Sequence, residues 1–446
     1  MVPCKEMDFD KHLSVEAKRR VPPTLRKLVA EFDGAEGIVS MHAGIPPSTA
    51  FPFVSFKATL LDGSEIEISD PRKVYAAQQY ATESFGYGPL MKWISAHMKR
   101  MHSPPHPHEH LLTNGSNHLI EMALSMLLEH GDPVLCEEYT YSNILESTLM
   151  PKGYECVAVP MDNHGIIPAE LRKVLEQRRE AGLKIPSLLY TVPVAQNPTG
   201  AITSEERKRG VYEVCQEYDI IILEDDPYFY LQFGDESEGP PGMDPKRLGK
   251  SYLALDTDGR VIRTDSFSKI LAPGFRTGWI SAAKPFRDRL ALYMLSSTMG
   301  TCSMTANIIY ELLSKWGDEG LDAHLKRIQS EYAAKSRTII AGFNEHMKGL
   351  GQWEAPRGGM FVWMKLIGIA SSDSIIRELR EEKVVIVPGH IFDVATGGQP
   401  KACPYIRLSC VAPIEELKEG VERLSRVIRS AQQKQQTEQN KQQSSA

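Results

Sequence analysis

Asp265-Ser266-Phe267-Ser268-Lys269-Ile270-Leu271-Ala272-Pro273-Gly274-Phe275-Arg276 follows a short apolar run, residues 261–263, that reads as a buried strand. A lysine beside serines in a loop is in most proteins a solvated charge. Here two hydroxyls, a lysine and an arginine crowd the end of a strand. That set suits a phosphate ester held beside an amine nucleophile: hydroxyls and a guanidinium match phosphate oxygens, and an amine attacks a carbonyl carbon.

The flanking sequence repeats the pattern. Residues 111–113 run into Asn114-Gly115-Ser116-Asn117, and an apolar-faced helix follows from about His118 to Glu129, stopping at Gly131-Asp132-Pro133. Residues 134–136, 156–159, 187–191 and 220–223 read as further buried strands. A helix begins near Thr203-Ser204-Glu205-Glu206, where a hydroxyl caps and acids favour the positive end. Short apolar runs alternating with amphipathic stretches predict an α/β fold with a mostly parallel sheet between helices.

Residues 232–260 are turn-rich and charged and read as a surface excursion between two sheet strands. Their Gly249-Lys250-Ser251 resembles the end of a phosphate-binding loop, but Asp244 stands where that motif needs glycine. After about residue 330, long helices and isolated strands at 359–365 and 383–387 point to a smaller α+β domain. The expected organisation is residues 1–57 joining the small domain and covering the active site, 58–330 as the large domain, 331–430 as the small one, and 431–446 as a disordered tail rich in Gln and Ser.

Composition narrows the function classes. A chain of 446 residues is too long for one core. Its 42% hydrophobic and 24% charged residues are ordinary for a soluble protein, and a formal charge of −6 gives no reason to expect nucleic acid or an anionic membrane as partner. Seven scattered cysteines without a C-x-x-C pair read as reduced thiols. With no apolar leader at the N-terminus and no retention signal at the end, a cytoplasmic protein is expected. The tract His102-Ser103-Pro104-Pro105-His106-Pro107-His108-Glu109-His110 is proline-broken and lacks a further ligand set, so a solvated loop rather than a metal site is expected.

Four more elements accompany the lysine segment. Gly115-Ser116-Asn117 sits at a strand-to-helix turn, where backbone N–H groups and the helix dipole favour a phosphate; alone, it reads as a plain capping loop. Ala195-Gln196-Asn197-Pro198-Thr199-Gly200 follows a strand and is either a turn or a source of an amide donor. Glu224-Asp225-Asp226-Pro227-Tyr228 lies at the C-terminal end of a strand, where α/β proteins place ligand groups. Three adjacent acids there call for a cationic partner if buried. Tyr139-Thr140-Tyr141 opens another connection and offers either core packing or an aromatic plane for a ligand ring.

Together these motifs resemble the class I/II pyridoxal-phosphate (PLP) aminotransferases of fold type I, and within them the branch of kynurenine/α-aminoadipate and fungal aromatic aminotransferases. The resemblance spans about residues 14–427 and rests on the S-x-S-K-x-x-x-P-G-x-R-x-G-W run from Ser266 to Trp279, on N-P-T-G at Asn197, and on E-D-D-P-Y ending at Tyr228. It implies a seven-stranded, mostly parallel sheet and a homodimer with shared active sites.

It also implies roles. Lys269 carries PLP as a Schiff base and shuttles the substrate proton. Asp225 pairs with the pyridinium, while Asn197 and Tyr228 bond the ring hydroxyl. Tyr141 stacks on the ring. Ser116, Asn117, Ser266, Ser268 and Arg276 hold the phosphate, with Tyr80 reaching the phosphate of the neighbouring subunit. Asn117 stands where the family often has Gln. Arg407 clamps the substrate α-carboxylate, and Gly44 and Phe361 line the substrate pocket. Arg26 aligns with a basic residue that meets a distal carboxylate in dual-specificity relatives, and reads equally as a surface arginine.

The implied reaction passes the amino group of an aromatic amino acid, kynurenine or 2-aminoadipate to 2-oxoglutarate in ping-pong fashion through pyridoxamine phosphate. A β-lyase or decarboxylase on the same cofactor is the alternative among enzymes. A ligand-sensing regulator is the alternative outside them, although only about forty residues precede Gly44, too few for a DNA-binding domain and linker.

Overall fold

The computed structural model describes residues 7–24, 41, 44–81, 85–234 and 236–444. Contacts divide the chain into two compact units, Met1–Glu129 with Asp256–Leu321, and His130–Leu255 with Asp322–Ala446. Strands β1 (Glu109–Thr113), β2 (Pro133–Glu137), β3 (Glu155–Val159), β4 (Leu188–Thr191), β5 (Ile221–Asp225), β6 (Val261–Ser266) and β7 (Gly278–Ala282) form one sheet in the order β1-β7-β6-β5-β4-β2-β3. Helices α1 (Gly88–Met101), α2 (Ser116–Leu127), α3 (Pro168–Glu180), α4 (Glu205–Glu217) and α5 (Lys284–Ser297) accompany it.

In the first unit β7 runs antiparallel to both β6 and β1, with Gly278 opposite Ser266 on one side and Thr113 on the other. Residues 267–277, with the lysine and the arginine, therefore connect two paired antiparallel strands. The sequence reading contained no strand at 278–282, yet all five residues are buried. Gly278 suits that spot because a Cβ there would lie 2.5 Å from the Asp265 carbonyl oxygen. Helix α2 buries Leu119, Ile120, Met122, Ala123, Leu124, Met126 and Leu127, which cover more than one face, so it is an interior helix.

The histidine tract is only in part a solvated loop: Ser103, Pro105 and Pro107 are exposed, while His102 is buried and Glu109 and His110 belong to β1. Its prolines end before Glu109, so β1 pairs normally from there on. His108 Nε2 lies 2.9 Å from Asp256 Oδ2 with both side chains buried, and His110 Nδ1 lies 2.9 Å from Ser281 Oγ.

In the second unit β2 pairs in parallel with β3 and β4, and β4 with β5. Strands β2, β4 and β5 are buried throughout, as parallel strands covered on both faces must be. Ser204 caps α4, its Oγ accepting from the Arg207 N–H at 3.2 Å. Residues 232–255 are less superficial than expected: Gln232, Leu248, Tyr252, Leu253 and Leu255 are buried.

Helix α6 (Ser303–His346), kinked at Gly317, leads to a four-stranded antiparallel sheet. Its strands β8 (Gly351–Trp353), β9 (Phe361–Leu366), β10 (Val387–Pro388) and β11 (Tyr405–Ser409) are ordered β8-β9-β11-β10. Val362, Met364, Leu366 and Ile406 join Phe343, Met347, Val421, Leu424 and Ile428 in one core. By strand alternation Phe361, Trp363, Tyr405 and Arg407 take the opposite face.

Two expectations fail here. The run 383–387 pairs only at Val387, because Lys383 has φ 58° and belongs to the turn closing helix α7 (Ile376–Glu381). The supposed tail continues helix α8 (Ile414–Ser444): beyond Gly420 it contains neither Gly nor Pro, and Gln, Lys and Glu are good helix formers.

Candidate active site

In the first unit, the site is built on the N-terminus of α2. Gly115 precedes the helix with φ 89°, and no side chain caps the first turn, which holds Ser116 and Asn117. The Arg276 guanidinium lies against this turn: a Cβ on Gly115 would sit 2.7 Å from Arg276 Nη2. Arg276 adopts φ 46° and donates from Nη1 to the Pro273 carbonyl at 3.2 Å and to Ser268 Oγ at 3.4 Å. The Ser268 N–H donates to Ser266 Oγ at 3.1 Å. A guanidinium, two hydroxyls and a positive helix end thus converge, an arrangement that repels cations and invites an anion. Lys269 is half-buried in the turn that follows. Tyr80 is 57% exposed and Gly44 is exposed, so neither joins this cluster within its own unit. Arg26 lies outside the described residues.

In the second unit, Asp225 ends β5, is 4% exposed, and accepts a hydrogen bond from Tyr190 Oη at 2.8 Å. Its neighbour Glu224 accepts from the Tyr252 and Leu253 N–H groups at 2.7 and 3.1 Å. Neutral donors thus contribute to the surroundings of both acids. Burial, and after it Asp225 and Tyr141, raises the Tyr228 hydroxyl far above its ordinary pKa. Phe361 meets the Tyr228 ring edge-on at 6.0 Å. Tyr141 is half-buried at the start of the short helix Ser142–Ile144.

Arg407 is the most informative group. Its guanidinium carbon lies 4.4 Å from the Phe361 ring centre and 4.9 Å from that of Phe392, and Nη1 donates to Asn197 Oδ1 at 2.8 Å. Its Nε is enclosed with no hydrogen-bond partner among the described residues, and burial lowers its pKa. A partly desolvated guanidinium facing aromatic rings and an amide, with an unused N–H, awaits a carboxylate.

The second unit thus gathers Tyr141, Asn197, Asp225, Tyr228, Phe361 and Arg407, while the first gathers Ser116, Asn117, Ser266, Ser268 and Arg276 around the segment of Lys269. Sequence reasoning assigned nothing to Glu137, Tyr190 or Gln196, whose contacts support these groups. An acid at the end of the apolar run 134–136 was the one available signal.

The family model "Aminotransferase class I and II" matches residues 84–424. The chain belongs to the class I and II aminotransferases. It is 31% identical over 439 residues to the mitochondrial kynurenine/alpha-aminoadipate aminotransferase of Bos taurus, covering 95% of this chain and 99% of that one. The structure is similar to the aminotransferase Aro8 of Candida albicans, with TM-score 0.87, 28% identity and coverage of 96% and 99%. It is also similar to a Pyrococcus horikoshii kynurenine aminotransferase solved with PMP, with TM-score 0.72, 25% identity and coverage of 95% and 98%. The fold is that of PLP fold type I, and the cofactor of this aminotransferase is pyridoxal 5'-phosphate. The residues fit it: an uncapped helix end with Arg276 and two serines suits the phosphate, and a buried carboxylate at Asp225 suits a protonated ring nitrogen.

Proposed function

We propose that this aminotransferase moves the amino group of an aromatic amino acid, kynurenine or 2-aminoadipate to 2-oxoglutarate. The observation that carries the reading is Arg407, a half-buried cation with an unused N–H set between Phe361 and Phe392. It would hold the α-carboxylate beside apolar rings that suit an aromatic side chain. A carboxylate held this way is kept rather than lost, which argues against decarboxylation. The bovine relative, named for kynurenine and aminoadipate, supports the substrate class.

Bound PLP supplies an electron sink for the pair left when a proton leaves the substrate Cα. Lys269 would bind the cofactor covalently and, once displaced by the substrate amine, use Nζ to take and return the Cα proton. Asp225 would keep the ring nitrogen protonated. Asn197, whose Oδ1 is engaged by Arg407, retains its Nδ2 hydrogens for the ring oxygen that Tyr228 also meets. Ser116, Asn117, Ser266, Ser268 and Arg276 would hold the phosphate, Tyr141 would stack on the ring, and Gly44 would line the substrate pocket. Arg26 would meet a distal carboxylate.

A homodimer belongs to this reading, with Tyr80 reaching the partner's phosphate. It is supported by exposed apolar groups in the first unit, among them Phe53, Val54, Tyr80 and Met299. No helix among the described residues is long and apolar enough to cross a membrane. Six described cysteines are free, which supports a reducing compartment; we place the enzyme in the cytoplasm, and fractionation against the mitochondrion of the bovine relative's name tests that.

Steady-state rates with tyrosine, phenylalanine, tryptophan, kynurenine, 2-aminoadipate and alanine, each with 2-oxoglutarate, test the assignment. The largest kcat/KM belongs to one of the first five. A strong preference for alanine overturns it.

A further inference from the structure

We propose that Glu137 is a positioning residue: it fixes the loop that presents Asn197 to Arg407 and so sets how tightly the substrate carboxylate is held. The proposal rests on the reading of Arg407 and Asn197 as the carboxylate-binding pair.

Glu137 ends β2 and is fully buried, and no lysine or arginine among the described residues pairs with it. Its hydrogen-bond partners are all donors. Oε1 accepts from Thr191 Oγ1 at 2.7 Å and from the Val192 N–H at 3.1 Å, and Oε2 accepts from Gln196 Nε2 at 2.9 Å. A buried carboxylate so arranged is satisfied only while those donors stay in place, and losing one leaves a costly orphan.

The link to Asn197 is Gln196, whose side chain is used at both ends. Nε2 also donates to the Tyr139 carbonyl at 2.6 Å, while Oε1 accepts from the N–H and hydroxyl of Thr199, each at 2.8 Å. The Gln196 amide thus spans the loop on both sides of Asn197. The loop has little other freedom: Ala195 is at φ 48°, and a Cβ on Gly359 would lie 2.5 Å from the Ala195 Cβ. Asn197 then delivers Oδ1 to Arg407 Nη1 at 2.8 Å.

Replacing Glu137 by Gln keeps the shape and turns one acceptor into a donor. An NH2 facing Gln196 Nε2 sets donor against donor. If Gln196 turns its amide to compensate, it abandons both Thr199 donors. If instead the new amide turns its NH2 to Thr191 Oγ1, the oxygen left for Gln196 Nε2 and the Val192 N–H is neutral, so the charge-assisted bond to the loop weakens. In each case the hold on Asn197 loosens.

The test is calorimetric titration of the PLP-loaded enzyme with glutarate, which keeps both carboxylates of 2-oxoglutarate and lacks its ketone. Glu137→Gln raises the glutarate Kd by about tenfold, as expected for losing a hydrogen bond to a charged group. It raises KM for 2-oxoglutarate in parallel, while kcat falls by less than about twofold. Gln196→Ala, which cuts the same link from the loop side, gives the same shift and stands in if Glu137→Gln does not fold. Added to Asn197→Ala, Glu137→Gln changes Kd by less than about twofold, because it acts through Asn197.

Unchanged Kd in both Glu137→Gln and Gln196→Ala overturns the positioning role alone, as do penalties that multiply in the Asn197→Ala background. If Asn197→Ala and Arg407→Ala also leave glutarate binding unchanged, or the wild type does not bind glutarate, the carboxylate site itself falls and the role of Glu137 with it.

Discussion

A methyl group on Gly115 would force the Arg276 guanidinium to move, and the glycine's φ of 89° is strained for any other residue. Gly115→Ala costs about 1–3 kcal/mol at that position, enough to weaken PLP binding roughly tenfold or more while the fold survives; cofactor titration by absorbance reads the shift. Arg407 gives a complementary result. Arg407→Ala raises KM for amino donor and oxo acid alike by about ten- to a hundredfold, the loss of a charge-assisted pair. Arg407→Lys restores little, because an ammonium lacks the planar fork; steady-state kinetics with both variants checks this. These residues were legible in the sequence because the motifs around them are specific. Tyr190 was not, since a tyrosine inside an apolar strand looks like packing until its hydroxyl is seen on Asp225.

At the scale of elements, legibility followed burial. Strands β2, β4 and β5 are built around short apolar runs because both faces are covered, and the sequence reading found each within about two residues. β7 escaped because its Gly-Trp-Ile-Ser-Ala lies just after a loop rich in Pro and Gly, and its antiparallel direction has no signature of its own. The run 383–387 misled in the other direction, since apolar residues there serve a turn initiated by a left-handed lysine. Helix α4 behaved as its cap required. Ser204→Ala should lower stability by about 1 kcal/mol and leave kcat unchanged, as measured by denaturant unfolding beside kinetics; a large fall in kcat would mean that the cap supports the site.

The whole molecule carries an acid liability that composition alone does not disclose. Burial, and after it Arg100, lowers the His97 pKa to about 3, and burial, and after it His108, lowers that of His110 to about 4. Both are neutral when folded, whereas the unfolded chain takes up protons below about pH 6.5. Their contribution to stability is therefore complete above that pH and drains away as pH falls toward 4 and then 3. Glu137 works oppositely: burial lifts it to about 7, so its stabilising contribution is complete below about 4.5 and lost as pH rises through 7. Denaturant unfolding of wild type and His97→Phe across pH 7 to 4 separates the two, since the ring that replaces His97 still faces Trp93 but takes up no proton. The variant loses less stability on acidification; equal losses would mean that His97 does not govern this range.

The central claim, that Lys269 bears the cofactor, meets its most direct test in borohydride reduction of the PLP-loaded enzyme followed by proteolysis and mass spectrometry. The account predicts the phosphopyridoxyl group on the peptide containing Lys269, and its loss in Lys269→Ala. A label on a different lysine, or none after loading with PLP, would contradict it.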